Sequence, residues 1–138
     1  MIWRCIFIEA QTADGDPAWI FAVVEECTQE CLSSVVEREF SLQHIADELF
    51  RLFLKRGIPK RIRPFSDDAA VKYLRAWLDD LEIRIEFEEQ EGGYGDLFRE
   101  KLSRDLLNEE NFATIPEMRN RLDDWKAEYN WSMNLSRR

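Results

Sequence analysis

A chain of 138 residues, 45% apolar and 34% charged, is sized for one domain around one core, and no stretch approaches the ~20 consecutive apolar residues that cross a bilayer. Its formal charge of -9 and pI of about 4.7 have the wrong sign for holding a phosphate backbone, because nonspecific nucleic-acid affinity comes mainly from lysine and arginine displacing counterions. Three cysteines cannot pair completely, and the start from Met1 to Ala10 carries one arginine and too short an apolar run for a signal peptide, so a reducing cytoplasm is the expected setting.

Trp3 to Glu9, Trp19 to Glu25 and Cys31 to Val36 are apolar and β-prone, with turn signals at Asp14-Gly15 and Thr28-Gln29; this pattern predicts a three-stranded antiparallel meander. Ser41 then caps a helix running to Arg56, ended by Gly57 and Pro59. Leu42, Ile45, Leu49 and Phe53 form its main stripe, and Ala46, Phe50 and Leu54 widen it beyond what one sheet contact needs. A short strand is expected at Arg61–Phe65, then a helix from Asp67 to Leu81 with Val71, Leu74, Trp77, Leu78 and Leu81 inward, then a strand Ile83–Phe87.

The C-terminal stretch reads as two amphipathic helices. Leu97, Phe98, Leu102, Leu106 and Leu107 recur at three-and-four spacing from Tyr94 onward. A capping-box start at Thr114, with Glu117 three residues later and Pro116 in the first turn, opens a second helix placing Met118, Leu122, Trp125 and Tyr129 on one stripe. The element order is βββαβαβαα, an α/β arrangement.

Motifs in this framework resemble the catalytic core of insertion-sequence transposases and retroviral-type integrases. That core has a "Y-x-E-x-F" helix start, "LN-x-x-x-F" and "W-x-x-x-YN"; the matching residues are Tyr94, Asp96, Phe98, Leu107, Asn108, Phe112, Trp125, Tyr129 and Asn130. "VVEECTQECLSSVVEREFS" from Val23 to Ser41 and "KRGIPKRIR" from Lys55 to Arg63 are also similar to family strings, so the resemblance spans residues 3–130. It implies an RNase H-like fold with a five-stranded mixed sheet and helices on both faces, and a chain related to DNA integration.

The family's chemistry uses an Asp-Asp-Glu triad holding two Mg2+ or Mn2+ ions, hard cations that take oxygen ligands and activate the attacking and leaving oxygens. Carried over residue by residue, the triad positions here are Ile6, Phe65 and Asp96. Two of the three are apolar and the third is a shorter carboxylate. The segment before Asp96 is also shorter than the family's loop. Glu9 lies an odd number of residues after Ile6, so a strand points it to the other sheet face. Asp67 or Asp68 would be displaced by roughly 6–10 Å, beyond metal-ligand distance. No catalytic residue, metal or other cofactor is therefore expected. Cys27, Cys31 and His44 do not complete a zinc site, and His44 reads as a helix-start residue.

Three readings separate by test. The first is a catalytically inactive core, not an enzyme, retained as a dimerising interaction module with a protein partner or as a mobile-element remnant. The second is a strand-transferase or nuclease with displaced carboxylates. The third is nucleic-acid binding without catalysis through Lys55, Arg56, Lys60, Arg61 and Arg63, whose bland alternative is a solvated loop. Family cores commonly pair through the helix after the third strand and the last helix, so a homodimer through Ser41–Arg56 and Ile115–Tyr129 is expected.

Overall fold

The computed structural model describes residues 1–64, 69–86, 94–108 and 111–136. Strands β1 (Ile2–Gln11), β2 (Pro17–Glu25) and β3 (Cys31–Glu37) form the antiparallel meander, and β4 (Arg61–Pro64) and β5 (Arg84–Ile85) add in parallel on the other side of β1. The sheet order is β3-β2-β1-β4-β5, a mixed five-stranded sheet as expected. Helix α1 (Leu42–Arg56) and α2 (Ala69–Asp80) serve one face; α3 (Tyr94–Leu102) and α4 (Ile115–Ser136) serve the other. No helix among the described residues is long and apolar enough to cross a membrane.

Turn chemistry fixes the meander. Gly15 takes φ +88° between β1 and β2, and Gln29 takes φ 65° between β2 and β3. The buried carboxylate of Glu25 accepts from the Cys27 and Thr28 amides across that second turn. Burial pushes its pKa up, but these hydrogen bonds outweigh that and hold it below the usual carboxylate range.

Alternation along β1 sorts the two cores. Trp3 and Cys5 join Phe21, Val23, Leu49, Leu52 and Phe53 under α1 and α2. Ile6 and Ile8 join Ile20, Ala22, Phe98, Leu102, Met118 and Leu122 under α3 and α4. Both helix starts read from the sequence are present. Ser41 Oγ accepts from the His44 amide at 3.0 Å; Thr114 Oγ1 accepts from the Glu117 amide at 3.2 Å, while Glu117 reaches back to the Ala113 amide at 3.0 Å.

Several boundaries and faces differ from expectation. β1 is longer at both ends, because Ile2 pairs with Arg61 of β4 and the pairing with β2 continues to Gln11↔Pro17. β5 shrinks to Arg84–Ile85, paired only to Arg61 and Ile62. Leu52, absent from the expected α1 stripe, is fully buried, whereas Phe50 and Leu54 are 52% and 74% exposed. Leu97 is exposed as well: the inward stripe is Phe98, Leu102 and Leu106, spaced by four, and Leu97 sits a helical step, ~100°, to its side. After α3 the backbone widens into a π-helical turn at Ser103–Leu107, closed by the Asn108 amide to Ser103 O at 2.8 Å. That extra residue per turn was not legible from periodicity.

Candidate functional site

The position where the family's first aspartate would stand is at mid-strand in β1. Ile6 is paired with Ala22 on β2, is 1% exposed, and belongs to the apolar cluster of α3 and α4. Its β-branched side chain suits a buried strand, and it offers no oxygen. Phe65, Asp67 and Asp68 lie outside the described residues. Asp96 sits in the first turn of α3, with its side chain outside them too. Glu9 is exposed, opposite Trp19, in the alternation of Trp3 and Cys5 and away from Ile6. Among the described residues no three histidines, cysteines, aspartates or glutamates gather where a metal ion could be held. At position 6, then, the residues present do not fit the family's metal pair.

From α3, Arg99 reaches back to this strand and donates from Nη2 to Phe7 O at 3.1 Å. Two residues before Ile6 on the same face lies Arg4, a buried guanidinium bound by Glu26 Oε1 at 2.8 Å. Its neighbour in the parallel register, Arg63, donates to the same oxygen at 2.8 Å and to Glu86 Oε2 at 3.3 Å; Glu86 also meets Arg61. A chain of alternating charge therefore joins β1, β4, the residue after β5 and the β2–β3 turn. Buried guanidinium groups need such partners because each would otherwise carry the desolvation cost of an isolated charge.

This pairing changes how the basic cluster reads. Arg56 is engaged by Glu30, Arg61 by Glu86, and Arg63 by Glu26 and Glu86. Lys55 and Lys60 are exposed. The sequence places five cations close together, and the fold brings carboxylates from other elements onto the three arginines.

Cys5 and Cys31 are buried on separate core faces, and burial pushes both thiols up to about 12, so neither presents a thiolate. Cys27 is exposed in the β2–β3 turn. His44 does what its position suggested: its amide meets the Ser41 cap and its ring lies 5.0 Å from Phe40.

Three of the family-like residues of the C-terminal helices, Phe98, Trp125 and Tyr129, pack together. Phe98 stands edge-on to Trp125 and Tyr129, at 5.4 and 5.3 Å between ring centroids, and Trp125 and Tyr129 stack at 5.1 Å. The Trp125 indole donates to Asp105 Oδ2 at 3.3 Å, tying α4 to the π turn. A cleft of about 610 Å3 beside it is lined by Lys101 and Arg121 against Asp105, Asp124 and Glu128. Sequence reasoning missed the role of Asn130: its amide accepts from Cys31 N at 2.8 Å and donates to Cys31 O at 2.9 Å, clamping the edge strand β3.

No family model matches the chain. It is 25% identical over 134 residues to the insertion element IS407 uncharacterized 31.7 kDa protein of Burkholderia multivorans, covering 94% of this chain and 48% of that protein. The chain thus spans about half the length of that curated relative. Among solved structures it is similar to the HTLV-2 integrase catalytic core domain in complex with magnesium, in its dimeric form, with TM-score 0.58, 11% identity, and coverage of 78% of this chain and 68% of that one. The BIV integrase catalytic core domain gives TM-score 0.55 and 14% identity, covering 78% and 66%. The simian T-cell lymphotropic virus intasome in complex with PP2A regulatory subunit B56 gamma gives TM-score 0.59 and 13% identity, covering 76% and 37%. The fold is that of integrase catalytic cores, and the resemblance to an integrase or transposase core read from the motifs holds.

Proposed function

We propose that this chain is a catalytically inactive integrase-type core, kept as an interaction module that pairs with a second copy of itself. The observation that carries the reading is Ile6: an apolar side chain at 1% exposure, built into the α3/α4 core where the family's metal chemistry needs a carboxylate. The displaced-carboxylate alternative draws no support from Glu9, which is exposed on the other side of the strand alternation. Binding of nucleic acid is disfavoured by the formal charge of -9 and by the carboxylates on Arg56, Arg61 and Arg63.

Self-association is supported by α1. Phe50 and Leu54, one turn apart, are exposed at 52% and 74% on the flank where Gln43 meets the exposed Tyr73 of α2. Apolar surface of this kind marks interfaces, and the commonest closure for identical chains is a two-fold dimer. The HTLV-2 core is described in a dimeric form. The expected interface buries roughly 1,200–2,000 Å2 in total.

The test has two arms. Incubation of the purified protein with duplex DNA and Mg2+ or Mn2+ should give neither nicking nor strand transfer; metal-dependent products would overturn the inactive reading. Sedimentation at micromolar concentration should show a dimer that Phe50→Glu/Leu54→Glu converts to monomer. A parent chain that is monomeric at 16.5 kDa would overturn the pairing.

A further inference from the structure

Strand β3 is an edge strand, since β2 is its only ladder neighbour in the sheet. An edge strand presents unpaired amides and carbonyls that template pairing with another chain. Here four such groups, the Cys31 amide and the carbonyls of Cys31, Leu32 and Val36, are met by side chains of α4. Asn130 takes both the amide and the carbonyl of Cys31, Lys126 Nζ donates to Leu32 O at 3.3 Å, and Arg119 Nη2 donates to Val36 O at 3.4 Å while also meeting Glu37.

The spacing is what makes this one device. Residues 119, 126 and 130 are seven and four apart, so they share one flank of α4, beside the inward stripe of Met118, Leu122, Trp125 and Tyr129. One helix therefore packs against the sheet with one stripe and satisfies the sheet's edge with the next. The side-chain amide of Asn130 has the donor and acceptor that a neighbouring strand would bring, at ladder distances. The register shift between Val23 and Val24 also disrupts the β2–β3 ladder beside Cys31, a second feature that discourages strand addition there.

We propose that α4 acts as a surrogate outer strand: Asn130, with Lys126 and Arg119, blocks pairing of β3 with β3 of a second copy, so that self-association runs through the α1 surface and not through the sheet edge. The occupant held off is a second copy because the strand itself, apolar at Leu32, Val35 and Val36, is its own best complement in antiparallel register.

The experiment uses the full chain carrying Phe50→Glu/Leu54→Glu, which removes any α1 pairing. Adding Asn130→Ala, Lys126→Ala and Arg119→Ala should produce concentration-dependent association in sedimentation. In hydrogen exchange the Cys31 amide should exchange at least about tenfold faster at low concentration, and residues 31–37 should regain protection at high concentration. A folded variant that stays monomeric at 100 μM overturns the proposal. Should that variant unfold, Asn130→Asp decides, since it keeps the acceptor for the Cys31 amide and loses the donor to the Cys31 carbonyl. Protection of the Cys31 amide within about twofold of the parent, with measurable association, supports the proposal; an unprotected Cys31 amide or no association overturns it.

Discussion

Both faces of the sheet carry an apolar cluster, and the face under α3 and α4 also buries the guanidinium of Arg4. Under α1 and α2, Trp3, Phe21 and Phe53 make the kind of core any α/β domain needs. Under α3 and α4 the cluster is built from Ile6, Ile8, Phe98 and Leu102. That second face also carries charge: Arg4, two residues before Ile6 along β1, with its partners Glu26 and Arg63. The comparison teaches that one strand can line two apolar cores and still carry a buried guanidinium on one side, provided that charge has a fixed counterion.

The sharpest way to break this comparison is Ile6→Asp. On a face that is now plain core, the substitution loses apolar burial and places a carboxylate without a partner, and should cost roughly 3–5 kcal/mol by denaturant titration. The double variant Ile6→Asp/Phe65→Asp should be less stable still and show no DNA nicking. If 10 mM Mg2+ restored the melting temperature of either variant, the face would still be a metal site in waiting.

Glu26→Gln probes the margin of the same face. It leaves two guanidinium groups sharing a neutral amide, and with Arg4 buried the expected loss is about 2–3 kcal/mol. The matching change on the α1 side, Glu48→Gln, should cost only about 1 kcal/mol at neutral pH, because Arg51 is half exposed to water. Equal losses at the two positions would mean that burial does not separate the two networks.

Glu48 also sets a pH dependence. Burial raises its pKa, but hydrogen bonds from Arg51 and Ser33 outweigh that and hold it below the ordinary carboxylate range. A depressed folded-state value stabilises the native chain above the unfolded pKa of ~4.3, and the contribution is lost as pH falls through the folded value. The stability gap between parent and Glu48→Gln should therefore be full at pH 7 and close as acid is added below about pH 4. A gap unchanged down to pH 2 would show that Glu48 acts by shape and not by charge.

Much of this was legible in the chain itself. The meander, the Ser41 and Thr114 caps, the α4 stripe and the order of elements follow from residue types at short spacing, because caps and turns are settled by backbone groups only a few positions away. What periodicity left out shows its physical limits. Leu52 and Leu97 exchange the roles a simple stripe would give them, because the width of a buried face is set by the partner surface and not by the helix.

The amino-acid sequence by itself determined the element types and most of the apolar faces, consequences of local geometry. Tertiary structure alone decided the pairings between distant residues: Glu26 onto Arg4 and Arg63, Glu30 onto Arg56, and Asn130 onto Cys31, 99 positions away. A charge or an amide has no partner until the sheet order brings one within hydrogen-bond distance. That is why a basic cluster that left a nucleic-acid contact and a solvated loop both open in the chain has, in the fold, its three arginines tied to carboxylates.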